Sequence, residues 1–156
     1  MSNLPILLAE YGESHQNPTN KRVHWICVPL IMFSILGLLW SIPAPSFMQA
    51  AGPWVNWATL VMALAVLYYL RLSVRLALGM VVIWAVMAAG LRVVEASAPL
   101  PLWGVCLLIF VLAWIGQFWG HKIEGKKPSF LKDLQFLLIG PVWLLHFVYE
   151  RLGWRY

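Results

Sequence analysis

The stretch 15-HQNPTNKRVHWICVPLIMFSILGLLW-40 passes from a polar, turn-forming lead into a long apolar run. From Val23 to Trp40 the only readily ionised side chain is His24, and Trp25 and Trp40 bracket the run as interfacial anchors. At 1.5 Å per helical residue that run covers about 27 Å, close to a hydrocarbon core about 30 Å thick. Upstream, Asn17 is a favourable N-cap and Pro18 a favourable first residue. A helix is therefore expected to start at Asn17-Pro18 and run into a bilayer, with Asn20 and His24 on one face.

Composition agrees with a membrane protein. Of 156 residues, 62% are hydrophobic and 11% charged, where soluble domains carry about 25% charge. The chain reads as a single integral membrane domain over 1–156. Glu10, Glu13 and His15 stand where a cleaved signal peptide would need its apolar core, so the first segment is expected to be retained. Cys27 and Cys106 lie in apolar runs and act as small hydrophobes, giving neither a disulfide framework nor a zinc spacing. The net charge of +5 comes from basic residues flanking apolar segments, not from a nucleic-acid-binding stripe.

Further along, 54-WVNWATLVMALAVLYYL-70, 76-LALGMVVIWAVMAAGL-91 and 102-LWGVCLLIFVLAWIGQFWG-120 supply three more apolar segments. Ala85-x-x-x-Ala89 offers a small-residue face for a neighbouring helix, and 41–53 is expected as a loop. Two segments flank the spans. Residues 3–14 form a short helix whose Leu4, Ile6, Leu7 and Leu8 suit the membrane interface. Within 134–152, Gly140-Pro141 breaks the pattern and favours a re-entrant or surface-lying helix pair over a fifth span. The expected fold is all-α and polytopic, with four transmembrane helices plus N- and C-terminal interfacial or re-entrant helices.

With four spans, only Arg92 of the eleven basic residues falls on the far side, while Lys21, Arg22, Arg71, Arg75, Lys122, Lys126, Lys127, Lys132, Arg151 and Arg155 share the near one. By the positive-inside rule both termini are cytoplasmic, in a bacterial inner membrane or one of endoplasmic-reticulum type. The same topology gathers His15, His24, His121 and His146 on or near that face. Ionisable groups at membrane depth are functional candidates. Gln117, His121 and Glu124 follow one another at helical spacing, and three imidazoles with carboxylates suit iron, zinc or another first-row metal. The chain has too few histidines for a desaturase-type di-iron site. A bis-histidine haem between His24 and His121 would leave His15, Asn17 and Asn20 without a role. His146, among apolar neighbours, reads as a polar tip reaching the headgroups.

Tyr11, His15, Asn17-Pro18, Asn20 and His24, then Gln117-Phe118, Gly120-His121, Glu124 and Pro128, then Pro141 and Glu150, resemble the pattern of the membrane-bound 2-hydroxy fatty acid dioxygenases. That family includes the fungal enzyme of phytosphingosine breakdown and bacterial relatives, and the resemblance covers nearly the whole chain. It implies an Fe(II)-dependent α-oxidation in which a 2-hydroxy fatty acid and O₂ give the acid one carbon shorter, CO₂ and water. His15, His24 and His121 match as metal ligands. Asn20, Gln117 and Glu124 match as polar residues that orient ligands or substrate; His146 lies outside the pattern, and a further ligand could be His146, Glu150 or water. Membrane lipid and the hydroxy acid are the expected partners, and no nucleic acid. Competing readings are a non-enzymatic membrane protein binding lipid or a partner, and a zinc-dependent lipid hydrolase.

Overall fold

A computed structural model describes residues 3–125 and 130–155, the side chains of 130–135 excepted. Lys126, Lys127 and Pro128, and the side chain of Lys132, lie outside the described residues. The helices are α1 (Leu4–Gly12), α2 (Pro18–Trp40), α3 (Ser46–Ala51), α4 (Trp57–Leu72), α5 (Val74–Ser97), α6 (Leu102–Glu124) and α7 (Phe130–Arg151). An all-helical fold is what apolar surroundings require, because each helix satisfies its own backbone donors and acceptors.

Three helices, α2, α5 and α6, are long and apolar enough to cross a membrane. The expected second span is shorter. α4 has 16 residues, about 24 Å of rise, so among the described residues three of the four expected spans have the length to cross. It nonetheless joins the two ends of the bundle. At one end Trp54 packs against Trp40 and lies under the Arg92 guanidinium; at the other, α4 passes through Ser73 directly into α5.

Local chemistry sets several boundaries. Asn17 caps α2 as its sequence predicts, its side chain accepting from the Thr19 and Asn20 amides, a contribution of about 1 kcal/mol. Asn56 and Thr59 form a reciprocal capping box on α4. The expected loop 41–53 contains the short α3.

α2 and α6 run antiparallel in close contact. A methyl group placed on Gly116 would sit 2.7 Å from Cys27 Sγ, and one on Gly120 would collide with the Asn20 amide. Glycine at both positions therefore lets the two backbones approach. The small-residue contact thus uses Gly116 and Gly120, and not Ala85 and Ala89, which are exposed on α5. In α5 the larger Leu76, Met80, Trp84 and Leu91 turn inward instead.

α7 departs most from expectation. It is one continuous helix through Gly140-Pro141, not a broken pair. An internal proline costs about 3 kcal/mol or more. Here Ile139 and Val142 are fully buried and Trp143, Leu144 and Leu145 nearly so, and burial of each such side chain contributes about 1.5–3 kcal/mol. Tyr69 also donates to the Leu138 carbonyl at 2.7 Å. α1 likewise is not a free interfacial helix, since Leu4, Leu8 and Tyr11 are buried in the core shared with α7 while Ile6 stays exposed.

Candidate metal centre

His24 stands nearly two turns inside α2, and His121 one turn before the end of α6. Because the two helices are antiparallel and close, these positions meet at the same end of the bundle. His15 comes from the turn between α1 and α2. The break at Asn17-Pro18 folds it back, so its ring centroid lies 4.1 Å from that of His24 and 5.6 Å from that of His121; His24 and His121 are 5.1 Å apart. One ring nitrogen from each of the three can be chosen so that all lie within 4.8 Å of one another.

The rings are oriented by the backbone one turn earlier. His15 Nδ1–H donates to the Tyr11 carbonyl at 2.6 Å, and His24 Nδ1–H donates to the Asn20 carbonyl at 3.0 Å. This arrangement fixes the tautomer and leaves each Nε2 with its lone pair available. His15 Nε2 is buried with no hydrogen-bond partner among the described residues. Burial pushes His15 from its usual 6.5 down to about 4, with the Tyr11 carbonyl opposing the shift and His121 adding to it. The imidazole is therefore neutral at ordinary pH, the form that binds a metal.

Two more acceptors are buried nearby in the chain without donors among the described residues: Asn20 Oδ1, one turn before His24, and Gln117 Oε1, one turn before His121. Both residues are at least nine-tenths buried. Buried acceptors without donors are costly, and several of them at one end of a bundle fit a site completed by a cation and its ligands. The three histidines thus form a donor set suited to a first-row metal.

Glu124 does different work from its neighbours. Its carboxylate accepts from the amides of Gln16 at 2.8 Å and Asn17 at 2.9 Å and from Asn20 Nδ2 at 3.0 Å. A carboxylate at the start of α2 is favoured by the helix dipole, and its charge strengthens these bonds. Glu124 therefore ties the end of α6 to the turn that carries His15. Asn20 completes the tie by donating also to the Ser14 carbonyl at 3.1 Å.

Of the residues that wall the His15 ring, the sequence pattern includes Tyr11 without a role and does not single out Trp143. Tyr11 stacks on His15 with ring centroids 4.3 Å apart and planes within 9°, and Trp143 of α7 packs 5.3 Å from the same ring. Tyr11 had a legible signal, four residues before His15 on a short helix; Trp143 had none, because its approach depends on how α7 docks. His146 and Glu150 face each other at 3.5 Å on α7 and are not part of the three-histidine group.

The family model described as 2-hydroxy-palmitic acid dioxygenase Mpo1-like matches residues 1–152. The chain belongs to this family. No curated protein and no solved structure matches it. In this Mpo1-like protein the matched region takes in all three histidines, the Glu124 tie and the whole of α7.

Proposed function

We propose that this Mpo1-like protein is an Fe(II)-dependent dioxygenase that shortens 2-hydroxy fatty acids by one carbon at the cytoplasmic face of a membrane. The observation that supports it most is the meeting of His15, His24 and His121 in a chain of this family. Held by these imidazoles, iron(II) would supply the one-electron chemistry that O₂ needs to react with a closed-shell acid. The overall change balances as hydroxy acid plus O₂ giving the shorter acid, CO₂ and water, with no external reductant.

The chain's own residues then have distinct tasks. Backbone carbonyls of Tyr11 and Asn20 hold the His15 and His24 rings. Tyr11 and Trp143 cover the His15 ring and keep water from it. Gln117 Oε1 and Asn20 Oδ1 are acceptors for the substrate's hydroxyl or for an ordered water. Arg22 and Lys122, at the same end, draw the substrate carboxylate to the surface. Its alkyl chain stays among lipid tails. The concentration of basic residues at this end supports cytoplasmic termini.

The test is O₂ uptake by purified protein given 2-hydroxypalmitate, with the acid one carbon shorter identified by mass spectrometry. Uptake that matches product one for one supports the reading. Hydrolysis of a lipid without O₂, or no turnover by well-folded, iron-loaded protein, would contradict it.

A further inference from the structure

On the face of α7 opposite Trp143, a cavity of about 910 Å³ opens between α5 and α7. Its walls are apolar: Leu78, Val82 and Ile83 from α5, and Leu145 and Val148 from α7. Leu78 and Val82 are 60% and 64% exposed, so the groove is open along its side to whatever surrounds the bundle. Its floor is fixed where the Tyr149 hydroxyl donates to the Arg75 carbonyl at 2.9 Å.

One end of the groove differs from the rest. Arg75 and Arg155 both line it, and the Arg75 guanidinium donates to the Arg155 carbonyl, which brings the two residues together. Among the described residues neither makes an ion pair. From Arg75 to Ile83 the helix rises about 12 Å, so cations stand at one end and a strip of aliphatic side chains runs inward from them. A phosphodiester carries a fixed negative charge and accepts the forked hydrogen bonds a guanidinium offers. Basic pockets between membrane helices bind such headgroups.

We infer that this groove is a binding site for an anionic glycerophospholipid, its phosphate on Arg75 and Arg155 and an acyl chain along Leu78, Val82 and Val148. The site is separate from the histidine cluster, because α7 stands between them, and it does not depend on the proposed reaction. A bound lipid would brace α5 against α7 and so support the helix whose other face covers His15.

Native mass spectrometry of the full-length protein, offered phosphatidylglycerol or phosphatidylcholine with matched acyl chains, tests this directly. Wild-type protein should retain phosphatidylglycerol in preference, and Arg75→Gln with Arg155→Gln should reduce that preference about thirtyfold, the effect expected of two basic residues at a membrane surface. Val82→Trp, which fills the open side, should weaken both lipids. Equal retention of the two lipids by wild-type protein would overturn the inference without recourse to any variant. So would a preference that survives both variants, or displacement of phosphatidylglycerol by equimolar 2-hydroxypalmitate.

Discussion

The α2–α6 and α4–α5 pairs are both antiparallel and similarly apolar, yet among the described residues only the first buries an imidazole at its contact. α4 and α5 are neighbours in sequence, joined through Ser73, which ends one helix and caps the next by accepting from the Leu76 amide. Their contact is made by side chains such as Tyr69 and Trp84, 5.8 Å apart, and their outer faces present Leu64, Leu67, Val82 and Val86 to the surroundings. α2 and α6 come from distant parts of the chain and meet over Gly116 and Gly120. Close approach there leaves room for polar groups, so Asn20, His24 and Gln117 are buried in or beside the seam. Hydropathy does not distinguish the two pairs; the size of the residues at the contact does.

The sharpest way to break this contrast is to remove an imidazole from the seam. His24→Ala or His121→Ala should reduce turnover of 2-hydroxypalmitate to background while circular dichroism shows unchanged helix content. Next in size is the tie across the seam's open end. Glu124→Ala should lower metal affinity about 10- to 100-fold, as loss of a group that holds a ligand in place does. Glu124→Gln should recover part of it, because one amide oxygen can still accept from the Gln16 or Asn17 amide; metal titration of purified variants reads both.

Gly120→Ala puts a methyl group into Asn20 and should cost about 1–3 kcal/mol of stability, the usual range for overpacking. In the other pair, Ala89→Leu on the exposed face of α5 should stay within about 0.5 kcal/mol of wild type. Unfolding in detergent compares the two. The smallest effect expected is that of His146→Ala, which should leave metal content at the wild-type level because His146 pairs with Glu150 outside the cluster.

Much of the site could be read from the chain. The Asn17-Pro18 start of α2 is written in local capping chemistry, and the meeting of His24 with His121 follows once segments of the right length alternate in direction. What could not be read is tertiary in origin. Gly140-Pro141 marks a break by local rules, but burial of Ile139 and Val142 carries α7 through it. Glu124 looks like a site carboxylate from its spacing to His121; only the folded turn reveals that its oxygens are taken by the Gln16 and Asn17 amides. Ala85 and Ala89 have the spacing of a helix contact, and nothing local says that this face points outward. Trp143 reaches His15 through the docking of an entire helix.

On the proposed function, His15, His24 and His121 together hold one functional iron. Elemental analysis of purified wild-type protein and of the three single His→Ala variants, all checked for retained helix content, measures it. About one iron per chain in the wild type, lost in every variant, is the result expected of a three-imidazole site. Iron retained in any one of the variants, or turnover of 2-hydroxypalmitate by metal-free protein, would contradict it.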